Sequence, residues 1–306
     1  MPELPDVVVY VECLERRTAG DTLLGIRLAN PFVLRSVIPP IETAAGKRVT
    51  GVRRMGKRVV LCLEDDLFLV IHLMIAGRLR WREKDAKLPV KLAHAGFDFP
   101  AGTLILTEAG TKKRASLRIV EGEAALGELD PGGIEVLDAG FDDFRRALTH
   151  ENHTLKRSLT DPRTYSGIGN AYSDEILHRA KLSPVKQTKY LSEAEIRRLY
   201  LACKTVLIEW TDRLRREVGD GFPENVTAFR PDMAVHGKYR QPCPVCAAPV
   251  QRIVYADNEV NYCPGCQTDG RILADRALSR LLKEDWPHNL DELTARAGSP
   301  GAAGAK

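Results

Sequence analysis

Apolar residues recur at helical spacing over residues 3–19, where Val7, Val8, Val11 and Leu14 share a face and Gly20 offers a stop. From 22 to 120 the period shortens. Apolar runs at 59–63, 67–73, 96–99 and 103–106 are separated by turn residues such as Asp65-Asp66, Pro100-Ala101-Gly102 and Ala109-Gly110. Many short strands at this spacing predict a β-sandwich or barrel. The breaker cluster Leu129-Asp130-Pro131-Gly132-Gly133 reads as a linker. Beyond it, helices are predicted over 141–148, 170–179, 192–206 and 209–217, the third opened by the capping box Ser192-Glu193-Ala194-Glu195. A Gly- and Pro-containing loop follows at 219–231, then a cysteine-rich module at 237–267 and a further helix near 272–284. Residues 297–306 consist of Gly, Ala, Ser, Pro and a final Lys, and are expected to be disordered. No internal repeat is visible.

Composition narrows the class. Of 306 residues, 44% are hydrophobic and 28% charged, a globular balance that excludes a mostly disordered chain. No segment approaches the roughly 18–20 apolar residues of a membrane helix; the longest candidate, 67–77, contains His72. The opening Met-Pro-Glu-Leu-Pro-Asp has neither a basic start nor an apolar signal core. The expectation is a cytoplasmic protein with no membrane partner. The net charge of +4 permits an anionic partner without requiring one, so any nucleic-acid surface must come from local clustering of charge.

Seven cysteines carry more information. Cys13, Cys62 and Cys203 stand alone in apolar surroundings and read as small buried hydrophobes. Cys243, Cys246, Cys263 and Cys266 form two C-x2-C pairs sixteen residues apart, with strand-like residues on both sides of the polar turn Asp257-Asn258-Glu259. Two such knuckles can wrap one tetrahedral zinc ion with about 2.3 Å per sulfur, and four thiolates leave no open position for catalysis. One structural Zn2+ is therefore predicted. Whether such a ribbon binds DNA, RNA or protein, or only stabilises the fold, is a separate question.

Pro2 and Glu3 open the first helix. If an aminopeptidase removes Met1, Pro2 becomes a free secondary amine. An α-amino group has a pKa near 7.7–8.0, so on the order of a tenth is neutral at pH 7, and a helix N-terminus favours the neutral form further. Such an amine can attack an aldehyde-level carbon and form an iminium, an electron sink. Glu3 beside it could move protons. Proline at a first helical position also has a purely structural reason.

Four features then converge. They are Pro2-Glu3-Leu4-Pro5-Asp6; Gly56-Lys57-Arg58 with His72-Leu73-Met74-Ile75-Ala76-Gly77; Gly167-Ile168-Gly169-Asn170-Ala171-Tyr172 followed by Asp174-Glu175; and the module closing on Cys263-Pro264-Gly265-Cys266-Gln267. In this order they resemble the formamidopyrimidine-DNA glycosylase/endonuclease VIII family of base-excision repair, over about residues 2–267. The resemblance implies an α+β multidomain chain: an N-terminal helix with a two-layered β-sandwich, a helix–two-turn–helix α domain and a C-terminal zinc-finger β-hairpin. The corresponding segments are 2–130, 131–231 and 232–270, with a C-terminal helix and tail over 271–306. It implies a monomeric bacterial enzyme of the cytoplasm or nucleoid that acts on damaged double-stranded DNA as a bifunctional glycosylase/AP lyase. An endonuclease VIII-like activity on oxidised pyrimidines and a catalytically silent lesion-binding relative are the alternatives.

The same resemblance implies roles for single residues. Pro2 resembles the nucleophile and Glu3 the general acid/base. Lys57 resembles the lysine that holds a phosphate beside the lesion. Asn170 resembles the asparagine that caps the helix entered from the glycine turn, where Gly167 and Gly169 let the backbone approach a phosphate. Lys156 resembles a lysine implicated in handling oxidised purine, and Glu175 a support for the turn and the zinc module.

Several positions depart from the family pattern. Asn258 stands where an arginine usually clamps phosphate, with Arg252 or Arg271 as nearby substitutes. Met74 takes a glycine's place and Ile75 that of the intercalating methionine; strand alternation would put only one of them in the DNA cleft, and alignment favours Ile75. The loop Gly110-Thr111-Lys112-Lys113-Arg114-Ala115 is basic and lacks the family's Arg-Phe pair; Lys112 is its candidate DNA contact. Asp6 replaces a glutamate, and 219–231 is shorter than the loop that covers 8-oxoguanine. These departures predict poor discrimination for 8-oxoguanine opposite cytosine.

Overall fold

The computed structural model describes residues 1–255, 258–274 and 286–297, leaving out the side chains of Tyr255, Asn258 and 295–297. It divides into two compact units. The first comprises residues 1–135, 165–167 and 207–228, and the second 136–164, 168–206 and 229–306.

The first unit begins with helix α1 (Leu4–Thr18), followed by strands β1 (Gly25–Leu28), β2 (Val49–Met55), β3 (Arg58–Leu63), β4 (Leu67–His72), β5 (Gly77–Arg82), β6 (Ala93–Phe99), β7 (Gly102–Glu108) and β8 (Ser116–Glu121). Two antiparallel four-stranded sheets result, in the orders β1-β6-β7-β5 and β2-β3-β4-β8. Their inner faces share one apolar core. Leu61, Leu69 and Ile71 come from one sheet, Leu79, Phe97, Phe99, Leu104 and Leu106 from the other, and Val7, Tyr10 and Leu14 from α1. The continuous apolar runs of β3 and β4 have a direct cause. Their opposite face is also covered, where Val60, Phe68 and Val70 pack with Met55 and Leu126. Leu126 lies on the short helix α2 (Glu123–Gly127).

The second unit carries α3 (Phe141–Thr149), α4 (Leu155–Thr160) and α5 (Asn170–Ala180). Thr154 caps α4 by accepting the Arg157 N–H. The two helices predicted over 192–206 and 209–217 are one helix of 26 residues, α6 (Glu193–Val218). Nothing between Val206 and Glu209 breaks it: Leu207 is fully buried, Ile208 faces outward, and neither is a helix breaker. Its first half belongs to the second unit, where Tyr200 packs on Phe141 and Phe144. From Leu207 it belongs to the first, where Leu214 packs on Val9 and Cys13. The cysteine module contains the hairpin β9 (Gln251–Tyr255) and β10 (Asn258–Tyr262), then α7 (Pro264–Gln267). A last helix, α8, spans Leu290–Ala297. The helix expected near 272–284 falls mostly, and the tail after 297 entirely, outside the described residues. Among the described residues no helix is long and apolar enough to cross a membrane.

Candidate functional site

In the first unit the N-terminus is buried. Pro2 is buried, Glu3 is 2% exposed, and the Glu3 N–H donates to Asp6 Oδ2 at 3.0 Å within a capping box. Asp6, a departure from the family pattern, thus holds the helix start. The next backbone group, Leu4 N–H, donates to Gly167 O at 2.9 Å. Gly167 has φ +82°, and a Cβ there would lie 2.8 Å from Leu4 Cβ, so backbone conformation and space both demand glycine. Arg54 secures this turn by donating to Gly56 O and Ser166 Oγ and by pairing with Glu135.

Burial lowers the pKa of the terminal ammonium. Glu3 and Asp6 oppose that shift, while Arg78 and Lys57 reinforce it. The amine in this structure belongs to Met1; it stands in for the amine of Pro2 that processing would expose one residue further along. Lys57 is half-buried in the two-residue turn between β2 and β3, where Gly56 adopts φ +59°. A hairpin this tight requires that conformation of a glycine in first position.

His72 ends β4, and burial, with Arg58 and Lys57 adding repulsion, lowers its pKa to about 4. The residues after it form a turn, so strand alternation does not govern Met74 and Ile75. Met74 takes the left-handed conformation at φ +52°, which a side chain adopts at a cost of roughly 1–2 kcal/mol. The turn closes with Gly77 N–H on Leu73 O at 2.9 Å, and Ile75 is left 53% exposed at the apex. An exposed apolar side chain on a closed turn has the shape of a wedge.

The basic loop after β7 is exposed from Thr111 to Arg114, Lys112 included. Its stem is rigid. Glu108 is 1% exposed and accepts the N–H groups of Arg114 and Ala115, while His94 Nε2 lies 3.0 Å from Glu108 Oε2. The segment after α6 is also held. Along β5, alternate residues face it: Arg78 donates to Val226 O, and Arg80 and Arg82 pair with Glu224.

In the second unit, Gly169 precedes α5 without a side-chain cap. Asn170 does not cap the helix as the resemblance implied: it is the first helical residue, and its Nδ2 donates to Glu259 O on β10 at 2.8 Å. Lys156 Nζ donates to Asn170 O at 2.7 Å and to Asp174 Oδ1 at 2.5 Å, with 12% of its side chain exposed. The fully buried Asp174 also meets His236 Nδ1 at 2.8 Å and the Asn261 N–H at 3.1 Å. Glu175 accepts the backbone N–H groups of Ala234, Val235 and His236. The side chain of Asn258 lies outside the described residues. Arg252 is in place on β9, stacked over Tyr239 at 4.3 Å and paired with Glu259 at 3.0 Å.

The four cysteines converge. Cys243 Sγ and Cys266 Sγ are 3.9 Å apart, Cys246 Sγ and Cys263 Sγ 3.3 Å. Tetrahedral thiolate coordination with about 2.3 Å bonds spaces sulfurs about 3.8 Å apart, so the donor set fits a zinc-sized ion. The loops are shaped for it: the Val245 and Cys266 N–H groups point at Cys243 and Cys263 sulfurs, and a Cβ on Gly265 would sit 3.0 Å from Cys246 Sγ. One residue here escaped the sequence reading. His178 on α5 lies with its Nε2 3.3 Å from Cys243 Sγ. Nothing in the local sequence Leu177-His178-Arg179-Ala180 singles it out.

Comparison with known proteins agrees with these features. The family profile for the formamidopyrimidine-DNA glycosylase N-terminal domain matches residues 1–113, and that for the H2TH domain matches residues 133–213. The formamidopyrimidine-DNA glycosylase of Heliobacterium modesticaldum is 34% identical over 281 residues, covering 87% of this chain and 100% of that protein. The enzyme of Thermus thermophilus is 33% identical over 283 residues, covering 88% and 100%. An uncharacterised formamidopyrimidine-DNA glycosylase-like protein of Mycobacterium tuberculosis is 43% identical over 151 residues, 49% of this chain and 94% of that one. Among solved structures, Lactococcus lactis Fpg in complex with abasic-site DNA superposes with a TM-score of 0.75 at 27% identity, over 87% of this chain and 99% of that one. The same enzyme with DNA containing an oxidised pyrimidine gives 0.75 at 28%, over 87% and 100%. The chain belongs to the formamidopyrimidine-DNA glycosylase family.

Proposed function

We propose that this protein excises damaged bases from double-stranded DNA and cleaves the resulting abasic strand with the same N-terminal amine. It is a DNA glycosylase/AP lyase of base-excision repair. The observation that carries the residue-level reading is the terminal amine at a buried, capped helix start, where burial favours its neutral, nucleophilic form. Pro2 attacks C1′ of the damaged nucleotide and the base departs with a proton. Glu3 assists opening of the sugar ring. The resulting iminium acidifies the adjacent carbon, so the flanking phosphates leave by elimination, and hydrolysis returns the amine. Lys57 and Asn170 position the backbone rather than read bases. Lys112 belongs to the same electrostatic surface, and Lys156 has one ammonium proton left for a phosphate after bonding Asp174 and Asn170.

Cys243, Cys246, Cys263 and Cys266 would hold one structural zinc ion, which supplies folding free energy to the hairpin and no reaction chemistry. The basic loop with no aromatic and the single apolar apex at Ile75 favour ring-opened purines, oxidised pyrimidines and abasic sites over 8-oxoguanine opposite cytosine. The decisive experiment is borohydride trapping on duplexes that each carry one defined lesion, followed by peptide mapping. A cross-link at Pro2 is expected. One at an internal lysine rejects the assignment, and binding without trapping makes the protein a silent lesion binder.

A further inference from the structure

The cysteine cluster contains five donors where four suffice. His178 is 7% exposed, and its ring projects from α5 into the small core formed by Val235, Cys243, Val250 and Cys263. One ring nitrogen of His178 and the sulfurs of Cys243, Cys263 and Cys266 all lie within 4.8 Å of one another. Cys243, Cys263 and Cys266 thus belong to two candidate donor sets, one with the mutually close His178 and one with Cys246, whose sulfur is 3.3 Å from that of Cys263. Cys246, exposed on its knuckle, closes one of them, and the buried His178 closes the other.

Imidazole nitrogen and thiolate sulfur are both good zinc ligands, and a site of three cysteines and one histidine is as competent structurally as a site of four cysteines. The ring is held on a helix whose Glu175 grips the backbone leading into the module, and Gln267 Nε2 donates to Leu182 O just past the helix end. Helix and knuckles are thus tied independently of the metal, so the imidazole needs only a small movement to replace one sulfur.

We propose that His178 is a reserve metal ligand, which completes a three-sulfur, one-nitrogen site with Cys243, Cys263 and Cys266 when Cys246 is lost. The proposal rests on the reading of the four cysteines as a metal site, and the experiment separates the two. The full-length protein is loaded with Co2+ in place of its native metal, and the charge-transfer and visible ligand-field bands are recorded during titration. Absence of thiolate–cobalt bands in the unsubstituted protein overturns the metal site itself.

Given that site, Cys246→Ala should still bind one Co2+ tetrahedrally, with bands displaced to shorter wavelength as nitrogen replaces sulfur. His178→Phe alone should keep the four-sulfur spectrum and lose no more than about 10-fold in affinity, the low end of what a hydrogen-bonding neighbour of a ligand contributes. Combining the two substitutions should cost more than about 100-fold relative to Cys246→Ala, beyond the usual range for such a neighbour. The single His178→Phe protein also shows that phenylalanine at 178 leaves the module folded. The proposal fails if Cys246→Ala binds no Co2+, if its spectrum is not displaced, or if adding His178→Phe changes nothing. It fails equally if His178→Phe alone loses a thiolate–cobalt spectrum, since His178 would then be required in the intact site.

Discussion

Leu61 and Leu69 in the first unit pack in an apolar cluster and are placed by strand register. Around Asp174 in the second, the partners are hydrogen-bond donors: Lys156, His236 and the Asn261 N–H converge on one carboxylate with no exposed surface. Both regions are fully buried, and they tolerate opposite changes. A sandwich core accepts a side chain of equal volume and different shape. A buried ionic cluster accepts neither partner's loss, because what remains is an uncompensated charge.

The sharpest way to break this contrast is an isosteric substitution in each place. Asp174→Asn preserves shape and removes the anion, leaving the Lys156 ammonium, 12% exposed, without its counter-charge. It should destabilise the protein by about 3–5 kcal/mol. Denaturant unfolding checks this, and a loss below about 1 kcal/mol would mean that Lys156 turns out to water. The first unit has its own ionisable exception in His72. Its folded pKa of about 4 lies below the ordinary 6.5, so between those values the unfolded chain binds a proton that the folded chain refuses. Stability should therefore fall as pH drops from about 6.5 to about 4, by at most about 1.4 kcal/mol per pH unit. His72→Asn should flatten that slope in unfolding titrations at a series of pH values. Leu69→Met, in the apolar core, should cost less than about 1.5 kcal/mol at any pH. Smallest for stability is Ile75→Ser, at 53% exposure, expected within about 0.5 kcal/mol. Its effect should appear instead in single-turnover assays, as slower excision of paired lesions with abasic-site cleavage retained. Equal slowing of both would remove the wedge role.

The same contrast explains what the sequence makes legible. β3 and β4 stand out because apolar runs buried on both faces leave an unbroken signal. β5 is harder to see, since Arg78, Arg80 and Arg82 alternate with Leu79 and Trp81 and find partners in a segment some 140 residues away. The two helices expected over 192–217 are one, because a change of neighbours along α6 reads in sequence as a change of element. At the site, the C-x2-C spacing exposes the cysteines, while nothing local marks His178. Its meaning comes from a sulfur 65 positions later in the chain. Asn170 stands out by its motif, but the Glu259 carbonyl it bonds is likewise non-local.

The clasp on β5 has an optical consequence. Trp81 points to the face opposite the three arginines, 6.4 Å from the ring of Phe222 and 6.0 Å from that of Phe99. Phe222 and Glu224 are two residues apart, so the indole sits beside the stretch that Arg80 and Arg82 hold through Glu224. The chain has only three tryptophans. With Trp210 and Trp286 replaced by phenylalanine, the emission of Trp81 becomes an intrinsic gauge of whether that stretch is seated, readable on a stopped-flow instrument without any attached dye.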